Sequence, residues 1–262
     1  MSDVIRIALV QTAADLDPAV NRARLAGTDT GDADLVVWPE AAARDFGAPG
    51  SDVAPYAESP DGPFATALEA AAGSAVAVAG MFETGPDPER PFNTLLVRGA
   101  GGSVRASYRK VHLYDSFGYR ESDRLAAGPL EPCVVDVHGW RVGLMTCYDL
   151  RFPEWARLLV DAGAELLVVP AAWVAGPRKV DHWRTLLRAR AIENTVWVAA
   201  CGQPAPRYTG HSVVVDPWGE VRAEAGDGEQ VLHATITRDV LDDARATNPS
   251  LRNRRLGPAA SR

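Results

Sequence analysis

Apolar positions along this chain come in short runs separated by polar turns, and most of the runs do not alternate. VIRIALVQ (4–11), ADLVVWPE (33–40), AVAVAGMF (75–82), NTLLVRG (93–99), AELLVVP (164–170), VWVAACG (196–202) and HSVVVDP (211–217) are nearly all apolar. A strand with one wet face alternates apolar and polar side chains, whereas a strand covered on both faces reads as a continuous apolar run. SVRASYRK (103–110), CVVDVHGWRVGLMTC (133–147) and QVLHATIT (230–237) add further β-rich segments. Between them the spacing predicts helices over 18–28, 63–73, 153–162 and 179–194. Pro63 and Pro153 suit a first helical turn, where the missing N–H costs nothing, and Gly163 suits a C-terminal stop. Strands that alternate with helices imply layered α/β architecture. No low-complexity linker and no tandem repeat divides the chain, so residues 1–240 are expected to form one domain. Residues 241–262, with five arginines and little apolar content, are expected to be a C-terminal extension.

Composition narrows the function. At 262 residues with 47% hydrophobic and 23% charged residues, the chain has an ordinary globular make-up. Its net charge is −7 with no basic block ahead of the tail, which argues against nucleic-acid binding. Cys133, Cys147 and Cys201 make neither a CxxC pair nor an even-numbered framework, so three free thiols, a reducing compartment and no metal are expected. MSDVIRIALVQTA lacks a signal-peptide pattern, and AAAGSAVAVAGMF is too short to span a bilayer. The expectation is a cytoplasmic protein with no membrane partner.

Three ionisable residues sit at the carboxyl ends of β-rich runs: Glu40 after LVVWP, Lys110 after SVRASYR, and Cys147 in LMTCYDLRFPEW, just before a helix that opens on Pro153. In α/β sheets that edge gathers ligand sites. Any one of these residues has a bland alternative: a buried small hydrophobe for Cys147, a loop charge for the other two. Together they suit acyl transfer. A carboxylate takes the thiol proton during attack, and an ammonium stabilises the oxyanion, aided by the backbone N–H of Tyr148. On the helix 179–194, Arg190 falls within an apolar arc of Val180, Trp183, Leu186, Leu187 and Ala191. An ion pair with Glu193 is expected there. No histidine sits in a cysteine-protease string; His112 and His211 are placed near the pocket rim in a structural role.

The ordered set Glu40, Lys110 and Cys147, with WPE, YRKVHLYD, TCYDLRFPE, HWRTLLRARAIEN, GHSVVVDPWGE and NPSLRNRR, resembles the nitrilase superfamily of carbon–nitrogen hydrolases over nearly the whole chain. RKVHLYDSFGYRESD and CYDLRFPE are most similar to the ω-amidase and deaminated-glutathione amidase branch. The resemblance implies a four-layer α–β–β–α sandwich, a Glu–Lys–Cys triad, no cofactor, and a homodimer. In that dimer the helices near Phe152 and Lys179 pack across a two-fold axis, with the tail along the partner. It implies an amidase that cleaves a small carboxylate-bearing amide through a thioester and releases ammonia. Nitrile or N-carbamoyl amine hydrolysis and a non-catalytic binding protein are the alternatives. Glu121 matches a second active-site glutamate, and Arg151 is a candidate anion contact. One segment departs from the branch: AAWVAGPRKVDHW replaces an aromatic–Thr and Thr–Gly string, so Trp173 to Lys179 differs where the pocket should be lined.

Overall fold

In the computed structural model, which describes residues 3–256, the first strand shows how the layers arise. Along β1 (Val4–Gln11), Ile5, Ile7 and Leu9 join one buried cluster and Ala8 and Val10 another. That period of two sends successive side chains to opposite faces. The first cluster fills the space between two sheets, where Leu35, Val37 and Val78 meet Leu144 and Val168. The second lies beneath α1 (Pro18–Gly27) and α2 (Pro63–Ala72), through Leu25, Phe64 and Leu68. Both faces of the sheet are therefore dry, which is why its strands read as continuous apolar runs.

β1 pairs in parallel with β2 (Leu35–Val37), which pairs in parallel with β3 (Val76–Glu83). β4 (Phe92–Gly99) and β5 (Arg105–Arg109) extend that side antiparallel. After a two-residue ribbon, β6 (Asp115–Ser116) with β7 (Tyr119–Arg120), the chain starts a second sheet. Its strands are β8 (Val134–Val137), β9 (Trp140–Leu144), β10 (Leu166–Ala171), β11 (Trp197–Gly202), β12 (Val213–Val215) and β13 (Val221–Glu224), adjacent in that order. β14 (Gln230–Thr237) returns to pair with β1 along its full length. The outer face of the second sheet is covered by α3 (Pro153–Asp161) and α4 (Lys179–Asn194), which bury Trp155, Leu159, Trp183 and Leu187. The architecture is the four-layer α–β–β–α sandwich.

Two sequence expectations need correction. The run 133–147 is two strands, because His138 and Gly139 both take positive φ, 52° and 87°, and reverse the chain between Val137 and Trp140. The boundary at 240/241 cuts a helix, α5 (Arg238–Thr247), whose Leu241 and Ala244 are buried in the chain's own core. The following α6 (Ser250–Asn253) leads to Arg254, which pairs with Asp161 of α3 at 2.7 Å. Residues 241–254 thus pack on their own subunit; 257–262 lie outside the described residues. Among the described residues, no helix is long and apolar enough to cross a membrane.

Candidate active site

Each of the three ionisable residues is carried past its strand by a specific local feature. Strand β2 ends at Val37, and Trp38 N still donates to Val78 O at 2.8 Å, so the chain turns only at Pro39 and Glu40. There it crosses β3 so closely that a Cβ on Gly80 would stand 2.4 Å from Ala41 N. Glycine is required for that approach. Lys110 follows β5; its own N–H donates to Asn93 O and its carbonyl accepts from Gly128 N, both at 2.8 Å. Cys147 opens a 3₁₀ turn, Cys147–Arg151, with φ of +47°. A non-glycine residue in the left-handed region is strained and persists only where surrounding bonds fix it. Here the buried Asp149 does so. Its carboxylate accepts from Thr146 N at 2.9 Å, Tyr108 Oη at 2.6 Å and His112 N at 3.0 Å. The result is a tight strand–turn–helix elbow that opens on Cys147.

The three side chains are brought together from far apart along the chain: Glu40 and Lys110 are 70 residues apart, and Cys147 lies well beyond both. Lys110 Nζ lies 2.9 Å from Glu40 Oε1 and 2.8 Å from Glu121 Oε2. Asn93 Nδ2 donates to Glu40 Oε1 at 2.7 Å and to Glu121 Oε1 at 3.1 Å, tying the two carboxylates together. Glu40 Oε2 accepts from Ala172 N at 2.7 Å, and Glu121 Oε2 from Tyr114 N at 2.6 Å. Burial would push the Glu40 carboxyl up, but the Lys110 ammonium, the Ala172 N–H and the Asn93 amide outweigh it and hold the group below the usual carboxylate range. Burial works against the Lys110 ammonium too. Glu121 and Glu40 reverse that and keep it charged well above the usual lysine range. For Cys147, burial and then the Glu40 charge raise the thiol well above its ordinary value, and Lys110 offsets this only in part. Two carboxylates already share one ammonium, so a preformed thiolate would be a third anion. The resting thiol is therefore protonated, with the ionised Glu40 beside it.

Glu40, Lys110, Glu121, Cys147, Tyr148, Arg151 and Trp173 all line one cavity of about 780 Å³. The structure thus brings these seven residues to one cavity. Arg190 is elsewhere: it pairs with Glu193 at 3.0 Å as expected, but its Nε and Nη2 also donate to Leu150 O, behind the elbow, at 3.1 and 2.7 Å. His112 and His211 do not reach the cavity. His112 stacks on Phe152 with its Nδ1 2.7 Å from Asp149, and His211 lies 3.4 Å from Glu224. Sequence reading missed Asn93, whose signal was a polar side chain inside the apolar run FNTLLV, buried to 1% exposure. It also missed Tyr114 and Arg207 on the cavity wall; Lys179, which ends the segment expected to line the pocket, is there too.

The carbon-nitrogen hydrolase family profile matches residues 6–246. A hydrolase of Mycobacterium tuberculosis is 41% identical over 95% of both chains. The deaminated glutathione amidase of Escherichia coli O157:H7 is 45% identical over 65% of this chain and 65% of its own length. Among solved structures, the Xanthomonas campestris CN-hydrolase superfamily protein XC1258, which bears an arsenic adduct in its active site, superposes with a TM-score of 0.87. It is 32% identical, covering 99% of this chain and all of that one. With the profile spanning residues 6–246 and the fold in agreement, the chain belongs to the carbon-nitrogen hydrolase family.

Proposed function

We propose that the protein is an amidase that cleaves a small carboxylate-bearing amide through a thioester on Cys147. The observation that carries this reading is the meeting of Glu40, Lys110 and Cys147 on one cavity, with the buried Lys110 ammonium 2.9 Å from the Glu40 carboxylate. The Cys147 sulfur attacks the amide carbon while its proton passes to Glu40. The oxyanion is stabilised by Lys110 Nζ and the Tyr148 N–H. Collapse breaks the C–N bond, and the proton held by Glu40 leaves with the amine as ammonia. Water then attacks the thioester; Glu40 takes a proton from it, the acid departs, and the thiol regains its proton. Glu121 fixes Lys110 and so acts as a positioning residue. Arg151 supplies a cation for the substrate carboxylate, in keeping with the amidase named among the relatives.

The test is ammonia release from a panel of ω-amides, nitriles and N-carbamoyl amines. Turnover of the amides, its loss in Cys147→Ala, and an acyl adduct on wild-type Cys147 by intact mass are expected. Turnover of the nitriles or carbamoyl amines alone would move the substrate class within the same chemistry. Full activity of Cys147→Ala would reject the mechanism. A cytoplasmic setting fits three unpaired thiols. A homodimer is supported by Leu158 on α3 and Ile192 on α4, left 39% and 44% exposed.

A further inference from the structure

The triad leaves two cations of the cavity unexplained. Arg151 ends the elbow turn and Lys179 begins α4, inside the segment that departs from the amidase pattern. Among the described residues, neither forms an ion pair with a carboxylate. The contrast is Arg207 on the same wall, which Asp45 neutralises at 2.5 Å. Lys179 Nζ has only the Tyr114 hydroxyl at 3.3 Å and ring faces around it, Phe117 at 4.2 Å and Trp173 at 5.7 Å. The Arg151 guanidinium lies 4.9 Å from the Trp173 ring centre, its Nη2 is 3.5 Å from His182 Nδ1, and its Nε is buried without a partner. The ammonium is held below the usual lysine range first by burial and then by the neighbouring Arg151 charge. The two cations therefore share one field. Two adjacent half-buried cations, beside ring faces and with no carboxylate partner among the described residues, repel each other, and an anion between them relieves that repulsion.

We infer that Lys179 is a specificity-determining residue: with Arg151 it forms a two-cation receptor for a carboxylate at the end of the substrate remote from the scissile amide. The inference rests on the amidase reading for its orientation. A guanidinium offers a planar fork to one carboxylate edge, and a lysine ammonium, a point charge on a flexible stem, can reach the remaining lone pairs. Tyr114 and Trp173 limit where that carboxylate sits. Lys179 thereby selects amides of dicarboxylic acids over neutral amides of equal length.

The experiment compares wild type, Lys179→Met and Lys179→Arg, using succinamate and glutaramate as acidic probes and butanamide as the neutral one. Loss of one charge-assisted contact should raise KM for the better acidic probe about tenfold or more in Lys179→Met. Activity on butanamide should stay within about twofold, and Lys179→Arg should restore most of the loss. In parallel, calorimetric binding of the acidic probes to Cys147→Ala should weaken by the same factor when Lys179→Met is added. Lys179-dependent binding without turnover in wild type would keep the receptor and reject the amidase reading. Turnover with equal KM in wild type and Lys179→Met would reject the receptor and keep the amidase. Absent binding, or binding equal in both backgrounds, also overturns the inference.

Discussion

Replacing Arg190 with methionine tests whether the turn that carries Cys147, the proposed nucleophile, is held from behind. The residue is 4% exposed, and its guanidinium directs Nε and Nη2 at the single carbonyl of Leu150, in the turn that Cys147 opens. Methionine retains much of the volume within the apolar face of α4, so the cavity contribution is small. What disappears is the charged donor pair. A hydrogen bond to a charged group contributes about 1.5–3 kcal/mol net, and two donors on one acceptor count for little more than one. Glu193, whose side chain is 36% exposed, rehydrates when released and adds little. The expected loss is about 2–3 kcal/mol. For a chain of this size that lowers Tm by about 4–12 °C. The elbow should loosen as well. Displacing a reacting atom by about 1 Å can cost about 100-fold in rate, so kcat should fall at least several-fold at temperatures well below the new Tm. Calorimetric melting and ammonia release on one preparation measure both. An unchanged Tm would refute the assigned energy. A lowered Tm with unchanged kcat would show that the elbow is held without this contact.

Further outcomes are expected. Asn93→Ala removes the amide shared by Glu40 and Glu121 and should destabilise by about 1.5–3 kcal/mol while lowering kcat; denaturant melts and turnover check this. Glu40 titrates lower in the folded state than unfolded, so its contribution to stability is present above the usual glutamate range and lost as pH falls through the folded value. Lys110 titrates higher when folded, so its contribution is complete below the usual lysine range and lost as pH rises through the folded value. The Tm difference between wild type and Glu40→Gln should therefore be flat across neutral pH and shrink only in acid; a step near neutrality would contradict this. The proposed homodimer predicts about twice 28.0 kDa by light scattering at micromolar concentration; a fully active monomer would reject it.

The sequence carried the layering and the identity of the three ionisable residues that meet in the cavity. β1 and β14 coincide with the predicted runs VIRIALVQ and QVLHATIT, and α4 with 179–194. The reason is local: apolar period, proline at the helix start and chemistry-bearing residues at strand ends are written in adjacent positions. Where the local signal was thin, it failed. α5 was absorbed into a tail because only Leu241 and Ala244 anchor it among charged neighbours. β13, VRAE, was missed because it is a short edge strand with exposed Val221 and Arg222, paired only through β12.

The charge states and several of the supporting residues belong to the tertiary structure alone. The Ala172 N–H that holds Glu40 ionised comes from 132 residues away, and the Asn93 amide from 53. Whether Cys147 rests as thiol or thiolate depends on how many anions surround one ammonium, which no spacing encodes. Arg190 read as a partner of Glu193 because helix geometry puts them three apart; that it also grips Leu150 follows only from the packing of α4 against the elbow. The same holds for Lys179, one of two lysines among 27 lysine and arginine residues in the sequence. It is distinguished in the structure by the aromatic ring faces around its ammonium and by the absence of a counter-ion among the described residues. Sequence fixes which groups are available, because composition and local period are properties of neighbours along the chain. Folding decides their protonation and pairing, because both depend on the field of residues that only the packed chain brings together.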